Sequence, residues 1–295
     1  MIIEPGVLYV VATPIGNLSD ISARALQVLR EVAWIAAEDT RHSKRLLHHF
    51  GIHTPLISLH DHNEQARIPQ LLADLETGKA IALISDAGTP LISDPGFPLL
   101  RQISAAGMKA SPIPGPSSLV AALSVAGLPT DRFVFEGFLP AKPQARCNYL
   151  SALQRESRTL VFFESSHRIQ ATLTDMATIF GTERQATLAR ELTKQFEEIH
   201  PGKLGTLCDW LNADANRCRG EFVIVVQGSA QAPDEWVRVE IPPLLSLLLK
   251  EMPVKRAVAV AGQLSGWPKN KLYELALKLK DQAVASESGK EDTGH

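Results

Sequence analysis

The sequence has 295 residues, of which 45% are hydrophobic and 21% are charged, and its formal net charge is -2. This composition excludes a fibrous or wholly disordered chain, and the length allows about two domains. The first residues lack the basic run of a signal peptide, and the apolar stretch 7–12 is too short to cross a bilayer, so we expect a cytoplasmic protein without a membrane segment. The three cysteines form no CxxC pair and indicate neither a disulfide framework nor a cysteine zinc site.

Apolar strands alternate with helical periods through residues 8–114. This alternation predicts a mostly parallel sheet with helices on both faces. Four further apolar runs, at 133–138, 160–163, 186–192 and 222–226, predict a second α/β domain with a mixed sheet. We therefore expect domains at 1–115 and 116–229, with a boundary near Gly115 and a ligand cleft between the two halves.

The C-terminal part of the chain is helical and basic. Helical patterns at about 244–252, 254–264 and 269–280 follow a proline-containing linker, and the turn at 265–268 suits a helix-turn-helix unit. Residues 250–280 contain seven basic residues and two acidic ones. We place a small helical domain at 230–285 and a disordered tail at 286–295. The basic charge indicates a polyanionic partner or, alternatively, a solvated helix face.

Four Gly/Pro-rich loops follow predicted strands, at 13–17, 85–96, 112–118 and 136–140. The carboxyl ends of strands in an open α/β sheet are where ligands bind. The loops contain neither GxGxxG nor GxxxxGK[ST], and their prolines remove backbone donors that a phosphate would need. They therefore suit a phosphate-free, cationic nucleoside better than a pyrophosphate, although tight turns alone are an alternative.

Eight strings carry a specific resemblance, in the order TPIGNLSDIS, AEDTRH, HDHNE, ALISDAGTPLISDPG, PGPSSLVAALSVAGLP, FEGFLP, FFESSHR and ARELTK. Together they resemble the tetrapyrrole-methylase superfamily and, within it, the bacterial ribosomal RNA small-subunit methyltransferase I family, over about residues 8–280. Where the superfamily has a GDP string, this chain has Gly88-Thr89-Pro90, which fits the RNA-modifying branch and argues against a corrin or porphyrin substrate.

The resemblance implies a fold, a reaction and partners. The fold is a two-domain class III methyltransferase of the α/β class with a small C-terminal helical domain, and the cofactor is S-adenosylmethionine in the cleft between the domains. The reaction is methylation of the ribose 2′-oxygen of a cytidine in the decoding region of 16S ribosomal RNA, on an assembled small subunit, by a homodimer. The implied cofactor contacts are Pro14, Ile15, Gly88, Thr89, Pro90, Ile92, Ser117, Ser118, Phe163 and Ala189.

Two polar clusters at predicted strand ends, 38–42 and 60–64, are candidates for proton removal from the attacking hydroxyl. Helix capping is the alternative for Asp39 and Asn63, and the sequence does not assign the base. The candidate catalytic residues are Asp39, Arg41, His60, Asn63 and Glu64.

Basic residues in two regions are candidates for RNA binding, with ordinary surface charge as the alternative. Three are at the mouth of the second domain and four are in the basic helices: Arg168, Arg190, Lys194, Lys255, Arg256, Lys269 and Lys271.

Two other functions stay open at this stage. Six of the nine histidines fall within 41–63, and the HxH at His60 and His62 would suit a metal-dependent hydrolase completed by Asp39 and Asp86. We nevertheless expect no metal, because short HxH matches are common. The second alternative is a non-catalytic RNA-binding protein that relies on the basic helices.

Overall fold

The computed structural model describes residues 3–60, 62–230, 241–265 and 267–288, with side chains described up to residue 280. The chain divides into two compact units, Met1–Gln231 and Ala232–His295. Among the described residues, the larger unit contains two five-stranded sheets and the smaller unit contains three helices.

The first sheet is fully parallel, as its alternating pattern predicts. Its strands have the order β3-β2-β4-β1-β5. The strands are β1 (Val7–Val11), β2 (Trp34–Ala37), β3 (Leu56–Ser58), β4 (Ile81–Ile84) and β5 (Lys109–Ile113). The helices are α1 (Ala23–Glu31), α2 (Thr40–His49), α3 (Glu64–Glu76) and α4 (Phe97–Ala105), with a 3-10 turn at Leu18–Asp20.

Helices cover both faces of this sheet because neighbouring side chains of a strand point to opposite sides. Tyr9 packs into a core with Val28 of α1 and Leu47 of α2. Its neighbour Leu8 packs into a second core, with residues such as Leu71 of α3 and others of α4. All carboxyl ends of the parallel strands therefore meet at one edge, where the loops of interest lie.

The second sheet is mixed, which confirms the prediction. Its order is β6-β7-β10-β8-β9, with β6 parallel to β7 and all other pairs antiparallel. The strands are β6 (Phe133–Phe138), β7 (Thr159–Ser165), β8 (Gln185–Arg190), β9 (Glu198–Lys203) and β10 (Glu221–Val226). The helices are α5 (Ser118–Val125), α6 (Pro143–Leu153), α7 (Ile169–Phe180) and α8 (Leu204–Asn212), with a 3-10 turn at Ala215–Cys218.

Helix α5 packs on one face of the second sheet, in a core that includes Leu119, Val161 and Val223. Helices α6, α7 and α8 supply the core of the other face. The sequence does not predict β9, whose His200, Pro201 and Gly202 lack an apolar alternation. The domain boundary expected at Gly115 lies between the two sheets and stays a prediction.

One outer strand of each sheet contains an exposed proline. Strand β5 is at one edge of the first sheet and pairs Pro112 with Val10. Strand β9 is at one edge of the second sheet and pairs Pro201 with Thr187. Both positions agree with the restriction of proline to sheet edges, since proline has no N–H to donate.

The smaller unit has the three helices that the sequence predicts: α9 (Ile241–Glu251), α10 (Val254–Ser265) and α11 (Lys269–Ser288). Leu245, Val258 and Leu272, one from each helix, belong to its buried core.

Residues 286–288 are helical rather than part of a disordered tail, because no proline or glycine interrupts the chain before Gly289. The rest of the predicted tail and residues 231–240 of the linker lie outside the described residues. Within the described ranges, no helix combines the length and the apolarity needed to cross a membrane.

Candidate active site

A cavity of about 320 Å³ opens between the two sheets of the larger unit. Ile15 and Ala87 line it from the loops after β1 and β4, and Ser118 lines it from the start of α5. Its other walls come from the second sheet and are mostly apolar: Phe138, Phe163, Glu164, Ser165, Ala189, Leu192, Glu221, Phe222 and Val223. The cavity is therefore the cleft that the sequence predicts between the two halves.

Three of the predicted loops meet beside this cavity. Thr13 and Gly88 exchange backbone hydrogen bonds of 2.8 and 3.1 Å. The Thr89 hydroxyl donates a 3.0 Å hydrogen bond to the carbonyl of Pro116. Gly88 has φ +80°, and a Cβ built on it would stand 3.3 Å from Ile15 Cγ2. The loops thus form one connected wall, and Gly88 is required there both by its backbone conformation and by the close approach.

The central loop after β4 stores backbone strain. Leu91 and Ser93 have φ values of 75° and 71°, in the left-handed region that disfavours residues with a Cβ. Ser93 Oγ would stand 3.3 Å from a Cβ built on Gly137, so the strained loop lies against the second sheet. Strain of this kind clusters at ligand sites, where the surrounding structure maintains it.

The structure brings some of the predicted cofactor residues to the cavity. Ile15, Ser118, Phe163 and Ala189 line it. Gly88 and Thr89 join the loops behind Ile15, whereas four others belong to the same loops without lining the cavity: Pro14, Pro90, Ile92 and Ser117. Contact between the cofactor and each of these residues stays a prediction.

An aromatic cluster that the sequence only partly indicates forms one wall. The Phe163 ring lies edge to face with Phe135 and Phe138, at centroid distances of 4.8 and 5.7 Å. The string FEGFLP contains both partners, but nothing in the sequence shows that β6 pairs with β7 and brings the rings together. Phe138 lies in the predicted loop 136–140, but the implied cofactor contacts do not include it, nor do they include Glu164 and Glu221.

The first catalytic cluster is held by helix capping. Asp39 caps α2, with Oδ1 accepting a 2.8 Å hydrogen bond from the backbone N–H of Arg41. The Arg41 guanidinium also bonds the carboxylate, at 3.1 Å, and these side-chain and backbone hydrogen bonds lower the pKa of Asp39 to about 2. A carboxylate with so low a pKa is a weak base. These contacts therefore favour a structural role for Asp39 over the removal of a proton.

The second cluster also makes structural contacts. Asn63 Oδ1 accepts a 2.9 Å hydrogen bond from the His60 N–H, and its amide donates to the Ser58 carbonyl, which fixes the turn before α3. Glu64 is buried and accepts a hydrogen bond from Leu99 of α4. His60 Nδ1 is buried and has no hydrogen-bond partner among the described residues, which leave out Asp61. The catalytic roles of these residues stay predictions.

Asp94, in the strained central loop, is a carboxyl that sequence reasoning did not select. Burial raises its pKa, a hydrogen bond from Ser85 partly offsets this, and the negative charge of Asp86 raises the pKa further. Asp86 in turn accepts a 3.1 Å hydrogen bond from the backbone N–H of Asp39. Of the carboxyls with a resolved shift at this sheet edge, Asp94 is thus the stronger base.

The histidine-rich segment does not assemble a metal site in the part of the chain that is described. The rings of His60 and His62 are 6.0 Å apart, centroid to centroid. No group of three or more His, Cys, Asp or Glu side chains in the described ranges could hold a metal ion. The metal-dependent hydrolase therefore gains no support from these residues.

The basic residues predicted to bind RNA fall into two groups. Arg168 donates to the Leu139 carbonyl at 2.6 Å, Arg190 donates to the Arg219 carbonyl at 2.7 Å, and Lys194 contacts two glutamates. These three side chains have partners within the protein. The other four are exposed on the smaller unit: Lys255, Arg256, Lys269 and Lys271. RNA binding by any of the seven stays a prediction.

The larger unit resembles solved structures of methyltransferases. It is similar to uroporphyrin-III-C-methyltransferase from Thermus thermophilus, with a TM-score of 0.54 and 20% sequence identity, over 75% of this chain and 94% of that one. It is also similar to cobalt precorrin-4 methyltransferase, with a TM-score of 0.56 and 16% identity, over 75% and 95% of the two chains. At these identities the likeness establishes the fold.

Residues 7–208 match the family model of tetrapyrrole (corrin/porphyrin) methylases, and with the two sheets and the cavity between them they define a methyltransferase of that class. Residues 239–280 match the RsmI C-terminal HTH domain. Ribosomal RNA small subunit methyltransferase I of Pseudomonas aeruginosa is 56% identical over 280 residues, which cover 94% of this chain and 99% of the relative, and that of Escherichia coli O157:H7 is 51% identical over 92% and 95%. The chain belongs to the ribosomal RNA small subunit methyltransferase I family.

Proposed function

We propose that this protein transfers the methyl group of S-adenosylmethionine to the ribose 2′-oxygen of a cytidine in the decoding region of 16S ribosomal RNA. The observation that carries the proposal is the cavity between the two sheets, with loops from β1 and β4 on one side and an aromatic wall on the other. The names of the relatives supply the substrate class, small-subunit ribosomal RNA.

The residues of the cavity suit this cofactor. Ile15, Phe163 and Ala189 offer apolar surface to an adenosine, and Ser118 offers a hydroxyl. An aromatic ring attracts a cationic group such as a sulfonium. The cofactor, when bound, supplies an electrophilic methyl group.

The protein contributes to the reaction by positioning the methyl donor and the acceptor and by removing the proton of the attacking hydroxyl. Two sheets that share one cavity can hold a donor and an acceptor at attack distance, which lowers the entropic part of the barrier. A ribose hydroxyl is a poor nucleophile at neutral pH, and a positioned base contributes about 10²- to 10⁴-fold. We propose Asp94 as the candidate proton acceptor, because it lies in the strained loop after β4 that packs against the second sheet, and because burial raises its pKa whereas hydrogen bonds lower that of Asp39.

The smaller unit is proposed to bind the RNA. Lys255, Arg256, Lys269 and Lys271 are exposed there and offer positive charge to phosphates. The homodimer implied by the resemblance and the expected cytoplasmic location stay predictions, and light scattering tests the first of them.

The decisive experiment combines the purified protein with radiolabelled S-adenosylmethionine and small subunits from a strain that lacks the modification. We expect label in the RNA, and nuclease mapping should place it on the ribose of one decoding-region cytidine. Label on a base atom would contradict the proposed acceptor. A protein that binds RNA without affinity for S-adenosylmethionine would instead be the non-catalytic binding protein considered above.

A further inference from the structure

The segment 191–194, which follows β8, has a backbone conformation that must be held in place. Glu191 and Thr193 have φ values of 48° and 65°, in the region that disfavours residues with a Cβ. Leu192 between them is buried and lines the cavity. The wall of the cavity at Leu192 therefore depends on whatever keeps these two residues in their strained conformation.

Lys194 provides one restraint, beside the 2.9 Å hydrogen bond from the Glu191 N–H to the Glu221 carbonyl and the 2.6 Å hydrogen bond from the Thr193 N–H to Glu197 Oε2. Its ammonium bonds Glu191 Oε1 at 2.9 Å and Glu221 Oε2 at 2.7 Å, which ties the segment to β10. Burial lowers the pKa of Lys194, but the hydrogen bonds to Glu221 and Glu191 outweigh it and raise the net pKa. Glu221 also lines the cavity, so Lys194 ties the segment that carries Leu192 to a second residue of the wall.

The same segment contacts the first loop of the parallel sheet at Gly16. A Cβ built on Gly16 would collide with Lys194 Cγ and would stand 3.0 Å from Thr193 Oγ1 and 3.2 Å from the Leu192 carbonyl oxygen. Gly16 directly follows Ile15, which lines the cavity from the opposite side. Only a residue without a side chain permits this approach of the two halves.

We propose that Lys194 is a positioning residue for the cofactor cavity, which fixes Leu192 and Glu221 against the Gly16 loop so that the two sheets enclose the ligand. This differs from the RNA contact that the sequence suggests for Lys194, because both carboxylates that it bonds belong to the protein. The inference rests on the proposed function only for the identity of the ligand. The conformation of the segment and its contact with Gly16 are independent of that identity.

The test compares Lys194→Met with Lys203→Met. Lys203 also forms an ion pair, with Glu183 at 2.6 Å, but it lies at the end of β9 and does not line the cavity. Calorimetry with S-adenosylhomocysteine should show affinity weakened about tenfold in Lys194→Met, which corresponds to about 1.4 kcal/mol. Lys203→Met should bind as the unchanged protein does.

A kinetic measurement separates positioning from RNA contact. With small subunits as substrate, Lys194→Met should keep the KM for subunits and its salt dependence, while the KM for S-adenosylmethionine rises. Unchanged cofactor binding together with a raised KM for subunits would overturn the inference and favour an RNA contact.

Two further variants test the same inference if Lys194→Met fails to fold. Glu191→Gln weakens the same ion pair without altering a cavity residue, and Gly16→Ala displaces the Lys194 side chain from the other half. We expect both to weaken S-adenosylhomocysteine binding, and wild-type affinity in both would overturn the inference. If the unchanged protein itself bound no S-adenosylhomocysteine, the proposed function would fail, whereas normal binding in the unchanged protein and in all variants removes only the role of Lys194.

Discussion

The backbone N–H of Leu99 donates a 3.0 Å hydrogen bond to Glu64 Oε1 in the interior of the larger unit. Leu99 is in the first turn of α4, where the N-cap residue Gly96 has no side chain to satisfy the free N–H groups. The buried carboxylate at the start of α3 therefore caps a neighbouring helix, and its negative charge suits the positive end of that helix. Glu64, predicted as a catalytic candidate, therefore has a structural role beside the second core of the parallel sheet, between α3 and α4.

Replacing Glu64 by alanine should lower the free energy of unfolding by about 1–3 kcal/mol, because the buried Leu99 N–H loses its acceptor. Glu64→Gln keeps an oxygen at this position and should lose less. Urea denaturation followed by circular dichroism measures both. A Glu64→Gln protein of normal stability that had lost methyl transfer would instead support the catalytic role.

Replacing Gly88 by alanine should weaken S-adenosylhomocysteine binding, because the new Cβ presses on Ile15 in the cavity. The matched control is Gly107→Ala, since Gly107 has a similar φ of +67° but open space around a built Cβ. Both variants should lose about 1 kcal/mol or more of stability from the positive φ. Only Gly88→Ala should show weaker binding in calorimetry, and equal affinity in the two would count against the loop as part of the site.

Asp94→Asn should reduce the rate of methyl transfer by about 10²- to 10⁴-fold, as expected for loss of a general base. A base works in its deprotonated form, so the wild-type rate should fall as the pH drops through the pKa of Asp94, which burial holds above its ordinary value of 3.8. Single-turnover rates between pH 4 and 8 test this. Asp39→Asn is the comparison, and a larger loss there than in Asp94→Asn would reverse the assignment.

The Glu156–Arg158 ion pair should make stability depend on pH in acid. The hydrogen bond from Arg158 lowers the pKa of Glu156 from 4.5 to about 2. A carboxyl whose pKa is lower in the folded than in the unfolded protein stabilises the fold at pH values above its unfolded pKa. For Glu156 this contribution is lost as the pH falls from about 4.5 towards 2. The stability difference between the unchanged protein and Glu156→Gln should therefore be constant from pH 7 to 5 and shrink below that, in denaturant titrations. A difference that grows in acid would contradict this sign.

Removing four exposed charges of the smaller unit should weaken RNA binding without affecting the cofactor. The combined variant is Lys255→Ala, Arg256→Ala, Lys269→Ala and Lys271→Ala. If each side chain neutralises one phosphate, the slope of log affinity against log salt should become less steep by about 3 to 4. Filter binding at several salt concentrations gives the slope. An unchanged slope would mean that the RNA binds elsewhere on the protein.

The fold follows from the sequence wherever hydrophobic periodicity is strong. The alternation through β1 to β5 predicts the parallel sheet, and the Gly/Pro-rich loops correctly mark the strand ends that face the cavity. Strand β9 escapes prediction because its pairing with β8 compensates for a sequence that contains His200, Pro201 and Gly202. Local preference is overruled there by tertiary contact.

The site could be located from the sequence but its side-chain partners could not. Arg190 and Lys194 look free in the string ARELTK, yet the antiparallel register of β8 with β10 brings Glu221 next to this segment. In the same way, Arg168 finds the Leu139 carbonyl only because β6 pairs with β7. Such partners depend on strand order, which a pattern of residues along one chain does not contain.

Pro112 and Pro201 bear on how this protein could associate with itself. Each interrupts the donors along an outer strand, so a strand from another chain could not extend either sheet there by a regular ladder. These two sheet edges are therefore protected against edge-to-edge aggregation. Any self-association at these two sheet edges would have to use side-chain contacts rather than a continuous intermolecular sheet.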